Sequence, residues 1–268
     1  MKKCRNLRLF CIFLSLFFFS LNAEIIEIQK IEEILPFVDD KTLVVLDIDD
    51  TLMVPAQMLG GDCWFRYTLK RYLESGFEFE EALSEILPIY VEIQNKLEVS
   101  PVEANTASVV HRLQEKADRV IGLTTRSNIL LYRTIEQLNS LGIHLNKTAL
   151  FDLKSGLATD YSLYYIDGIL STEARHKGEA LSNLCARYGY FPEKIIFVND
   201  KLKFVLDVEE TFINRDVIYY GFRYAGSDEI SDSWSPELSN VQKKYFNKIL
   251  SDEDASKILE GQHAIAYD

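Results

Sequence analysis

Short unbroken apolar runs alternate along this chain with longer segments whose apolar residues recur every three or four positions. The unbroken runs lie at 43–46, 119–124, 194–198 and 217–221. Runs of that length, rich in Val, Ile and Leu, predict strands buried on both faces. The periodic segments predict helices. Over 64–99, Phe79, Leu83, Ile86, Leu87, Tyr90, Ile93 and Leu97 keep helical spacing; Pro88 is expected to kink or split that helix, and Ser100-Pro101 to end it. Further helices are predicted at 104–116, with Val109, Val110 and Leu113 on one face, at 128–141 closed by Gly142, at 177–188 ended by Gly189, and at 201–212. A loop is expected over 53–62, short strands and a turn over 148–170, and two polar helices over 236–250 and 252–259. Strands separated by helices of this length imply right-handed crossovers and a mainly parallel α/β sheet.

The first 23 residues break the pattern. Lys2, Lys3, Arg5 and Arg8 precede a 13-residue apolar run, 9–21, and Ala23 follows. A basic segment, a short apolar stretch and a small residue describe a secretory signal peptide, too short for an ordinary membrane span. Export to the periplasm or the exterior is expected, with no integral span after cleavage. Losing four basic and no acidic residues takes the formal charge from −12 to −16. Such a surface repels nucleic acid and anionic membranes. Of the four cysteines only Cys63 and Cys185 remain, in no zinc or Cys-x-x-Cys spacing. They are read as separate thiols, one in a loop and one buried in a helix. A disulfide stays open, because it needs a Cα separation that spacing does not supply.

Chemistry concentrates at strand ends. The run Leu43-Val-Val-Leu46 stops at Asp47, and Asp49 follows two positions on. Two carboxylates at the end of a buried strand are costly unless a cation or a reaction compensates. Asp50 is expected to point away. Thr124 and Asp200 also end predicted strands, and ligands of parallel sheets bind at the carboxyl ends.

Four segments then stand in order: Asp47-Ile-Asp49-Asp-Thr51, Leu123-Thr124-Thr125-Arg126, Lys177-Gly178-Glu179 and Ile195-Ile-Phe-Val-Asn199-Asp200. Together they resemble the four motifs of the haloacid dehalogenase superfamily, across about residues 42–221. The resemblance implies a Rossmann-like core, a helical cap inserted at 53–103 between core segments 24–52 and 104–268, a Mg²⁺ ion and an aspartyl-phosphate intermediate. It implies Asp47 as nucleophile and Asp49 as acid and base. Thr124, Thr125 and Lys177 would hold the phosphoryl group of a small phosphorylated substrate. Asp47, Asp200 and the backbone carbonyl of Asp49 would hold the metal. An acid two residues after the nucleophile goes with phosphatases and phosphotransferases in that superfamily, not with dehalogenases. The N-terminus, Gly61-Asp-Cys-Trp-Phe65 and Gly221-Phe-Arg-Tyr224 resemble an exported branch from Gram-negative bacteria catalogued as a domain of unknown function.

The residue types suit that chemistry on their own terms. Phosphoryl transfer needs charge neutralised on the transferring oxygens and an in-line nucleophile, and Mg²⁺ takes oxygen ligands. Arg126 reads either as a substrate contact or as a solvated loop residue. The fourth segment departs from the commoner Asp-Asp or Gly-Asp by having Asn199, and carries Phe204 and Val205 where a further polar residue often stands. A second reading therefore persists: a catalytically weak scaffold that binds a partner through its cap and acidic surface.

Overall fold

A computed structural model describes residues 24–151, 160 and 162–266; the expected signal peptide lies outside them. In chain order the elements are β1 (Glu24–Ile28), β2 (Thr42–Leu46), β3 (Met53–Pro55), α1 (Asp62–Glu74), α2 (Phe79–Lys96), β4 (Val99–Pro101), α3 (Thr106–Lys116), β5 (Arg119–Thr124), α4 (Leu131–Ser140), β6 (Tyr165–Ile166), β7 (Ile169–Ser171), α5 (Lys177–Tyr188), β8 (Lys194–Asn199), α6 (Leu202–Phe212), β9 (Ile218–Tyr224), α7 (Asp228–Asp232), α8 (Pro236–Lys244) and α9 (Asp252–Ala266). Seven strands form one sheet in the order β1-β9-β8-β2-β5-β7-β6, and β3 and β4 form a separate ribbon. Every pairing in the large sheet is parallel except the β6–β7 hairpin.

Strand β2 is central because both its faces are apolar. Val44 and Leu46 face α3 and α4, whereas Leu43 and Val45 face α5 and α6. Each is fully buried, and each contributes about 1.5–3 kcal/mol relative to exposure. The register aligns Leu46 with Gly122 of β5 and Val198 of β8. Asp47, Thr124 and Asp200 therefore emerge at one end of the sheet. The chain runs outward from β2 through β5 to β7, then returns across the sheet to β8. The reversal point falls between β2 and β8, where parallel sheets open a crevice.

Residues 53–103 leave the core along the β3–β4 ribbon and return through it. Between them α1 and α2 form a hairpin around Trp64, Ile86, Ile93 and Leu97. The long predicted helix is two helices, and the break falls at Ser75–Glu78, where Gly76 has φ +92°. Pro88 lies inside α2 without splitting it. Its position and that of Ser84, the residue one turn back, are exposed, so the carbonyl that proline leaves without a donor can be hydrated. The 3-10 turn Asn128–Leu130 starts the helical stretch predicted at 128–141, which continues as α4. Strand β1 and a 3-10 segment, Ile31–Phe37, precede the first predicted strand.

The C-terminal helices pack on the α1–α2 hairpin. The Trp234 indole donates to the Met58 carbonyl at 2.7 Å, Gln242 Oε1 accepts from Leu59 N at 3.0 Å, and Trp234 packs against Tyr67. Cys63 stands on α1, not in a loop, and both it and Cys185 are free.

Candidate active site

The centre of the crevice is an ion pair. Lys177, the first residue of α5, turns its side chain toward the sheet, and its Nζ donates to Asp47 Oδ1 at 2.6 Å and to the Leu123 carbonyl at 3.2 Å. Lys177 is wholly buried and Asp47 6% exposed. A cation at a helix start opposes the helix dipole, and Asp47 offsets that cost. Burial pushes the Asp47 carboxyl up, Lys177 pulls it down, and Asp200 pushes it up again; the net direction is upward. Asp200 is raised likewise, chiefly by burial, against the pull of Lys201. The Thr124 hydroxyl accepts from Arg126 N at 3.1 Å and is buried beside this pair; Thr125 is half-buried next to it.

Asp49 faces another partner. Arg126 grips both its oxygens, Nε to Oδ2 at 2.8 Å and Nη2 to Oδ1 at 2.7 Å. The same guanidinium donates to Gln137 at 2.6 Å and Thr134 at 3.1 Å on α4, and to Gln94 Oε1 at 3.1 Å on α2. Arg126 is thus a buried bridge between Asp49 and the α1–α2 hairpin, neither a solvated loop residue nor a free substrate contact. Tyr90, one turn before Gln94, is half-buried in the same field of Asp49, Asp62 and Arg126.

Asp50 does not point away. Its backbone is left-handed (φ 57°), and its carboxylate is buried near Lys201. Burial first, then Asp200 and Asp49, push its pKa up to about 8. Lys201 Nζ lies 2.6 Å from Asp200 Oδ2, 3.2 Å from Asp62 Oδ2 and 3.9 Å from Asp50 Oδ2.

These donors fit a hard cation in type. Asp47 and Asp200 are carboxylates whose mutual repulsion a cation would relieve. Among the described residues no three His, Cys, Asp or Glu side chains converge as a metal cluster, so a backbone or water oxygen would complete the set.

Lys201, Asp62 and Gln94 carried no functional expectation from the sequence, and Tyr90 figured only in an apolar stripe. Two signals were available. Lys201 directly follows Asp200, and Gln94 is a polar residue beside the apolar stripe of α2.

The chain belongs to the family described as Protein of unknown function (DUF2608), whose profile matches residues 24–256. It is 26% identical over 240 residues to a Chlamydia pneumoniae protein named "Putative outer membrane protein", covering 90% of each chain. A Chlamydia muridarum protein of the same name is 26% identical over 216 residues, 81% of each chain. A haloacid dehalogenase-like family hydrolase from Streptococcus pneumoniae superposes with a TM-score of 0.40 at 18% identity, covering 63% of this chain and 80% of that one. Among the described residues no helix is long and apolar enough to cross a membrane.

Proposed function

We propose that this member of the DUF2608 family is an exported, haloacid-dehalogenase-like phosphohydrolase that cleaves small phosphate monoesters through an aspartyl-phosphate. The observation that carries the reading is the buried Lys177–Asp47 contact of 2.6 Å at the carboxyl ends of β2, β5 and β8. A buried carboxylate facing an ammonium at that crevice suits attack on an anionic phosphoryl group. The basic-then-apolar N-terminus supports export, as do the names of the chlamydial relatives.

In this scheme an Asp47 oxygen attacks phosphorus as the bond to the leaving oxygen breaks. Lys177 neutralises charge on the nucleophile and the phosphoryl oxygens. The Thr124 hydroxyl and the backbone around Thr125 orient that group. Asp49 gives a proton to the leaving oxygen, then takes one from the water that attacks the aspartyl-phosphate and regenerates Asp47. Asp49 frees one oxygen from Arg126 to do so. Mg²⁺, held by Asp47, Asp200 and the Asp49 carbonyl, would supply further charge neutralisation.

Mature protein should hydrolyse p-nitrophenyl phosphate in a Mg²⁺-dependent manner, and Asp47→Asn should abolish turnover while keeping the circular dichroism spectrum. Turnover by Asp47→Asn at the wild-type rate would sink the scheme. The second reading, a binding scaffold, is favoured by the engagement of both Asp49 oxygens by Arg126; absence of turnover on a broad panel of phosphate esters selects it.

A further inference from the structure

Of the two carboxylates assigned to the metal, Asp47 is held by Lys177 and Asp200 by Lys201, and the surroundings of the second pair show which partner can yield. Asp200 is 6% exposed and fixed at the end of β8. The Lys201 side chain is about 30% exposed, on a flexible four-carbon stem. Its backbone is pinned: Lys201 N donates to Asn199 Oδ1 at 2.8 Å, so the residue that departs from the commoner fourth motif also fixes the turn. The other amide atom, Asn199 Nδ2, is buried without a partner. From this turn the ammonium reaches back onto Asp200 and across to Asp62 on α1. Asp62 has a second cation, Arg66 Nε at 2.9 Å, and would not be stranded if Lys201 left.

Resting on the metal-dependent reading above, we propose that Lys201 is a tethered competitor of the metal ion. In the metal-free protein its ammonium holds the place beside Asp200. A divalent cation binds as that ammonium swings toward solvent, giving up its hold on Asp62 at the start of α1. Metal affinity and the tie between hairpin and core are thereby set against each other: a metal ion on Asp200 would not bridge to Asp62, whereas Lys201 does.

Mn²⁺ binding to the mature protein, followed by the paramagnetic resonance of free Mn²⁺, tests this without any substrate. Lys201→Met is expected to tighten binding by about tenfold, since a like charge within contact distance of the site is removed. Lys203→Met, the same charge change two residues on, should stay within about twofold because solvent and salt screen it. Equal or weaker affinity in Lys201→Met, or equal tightening in Lys203→Met, overturns the proposal. Absence of Mn²⁺ binding in every protein, Lys201→Met included, overturns the metal-dependent reading itself. A measurement on unaltered protein covers a variant that does not fold. Trace labelling of amines with acetic anhydride should modify Lys201 severalfold faster with Mn²⁺ present, relative to Lys41. An unchanged ratio counts against the displacement.

Discussion

Arg126 makes five side-chain hydrogen bonds to four residues on three segments. Arg126→Met removes the guanidinium and takes from Asp49 and Gln137 Oε1 the donor that holds them. Breaking a buried pair on one side costs about 3–5 kcal/mol; because Asp49 is about 30% exposed, the lower end is expected. A thermal melt checks it, and an unchanged Tm would remove Arg126 from its bridging role. The carboxylates carry a second prediction. Asp50 titrates near 8 when folded, against an ordinary 3.8, so the folded state binds more protons than the unfolded chain between those values. Stability is fully present below about 4 and is lost as pH rises toward 8. Asp47 and Asp200 are shifted in the same direction. Tm in chelator should fall between pH 5 and 8, and a flat or rising profile would contradict the burial described. Asp47, Asp200 and Lys177 were legible because a strand end or a helix start placed each one. Arg126 and Lys201 were not, because what distinguishes them is which residue they reach across the crevice.

At the scale of elements, the placing of Lys177 depends on how closely α5 lies to α6. A Cβ at Gly178 would stand 2.1 Å from Thr211 Oγ1 and 2.5 Å from the Asp207 carbonyl. Gly178→Ala should therefore push the two helices apart, at about 1–3 kcal/mol, and shift the neighbouring Lys177. Urea unfolding reads the first effect; retention of wild-type stability would show that the helices yield freely. The parallel strands were legible as apolar runs because both faces of the sheet are covered. The ribbon β3–β4 was not: three residues per strand are too few to show a period. The split between α1 and α2 was assigned to the wrong residue, since a mid-helix proline beside water costs less than its type suggests, whereas Gly76 takes a left-handed backbone.

For the whole molecule, the helices after β9 are what hold the α1–α2 hairpin over the crevice from outside. Only two polar helices were legible there, because their hold on the hairpin is a set of scattered contacts, among them Trp234 to Met58, Gln242 to Leu59 and Lys96 over Phe246, with little periodic signal. Trp234→Ala removes the indole donor and its contact with Tyr67. The expected result is faster protease cleavage within residues 53–103, while the large sheet stays protected. Limited proteolysis with mass mapping decides it; cleavage spread evenly over the chain would mean that the hairpin has no separate stability.

The outermost strand of the sheet has a consequence for biogenesis. Among the described residues β1 pairs only with β9, Glu24 opposite Tyr220 and Ile28 opposite Tyr224. The start of the described chain therefore has no hydrogen-bonded neighbour until nearly 200 further residues have been synthesised. Contacts of such long sequence separation form late and slowly. A nascent chain leaving the ribosome cannot zip its own beginning into the sheet, and that leading segment stays unpaired until β9 arrives. Late pairing of the leading segment would suit the export proposed above, in which the chain passes a translocation channel before it folds.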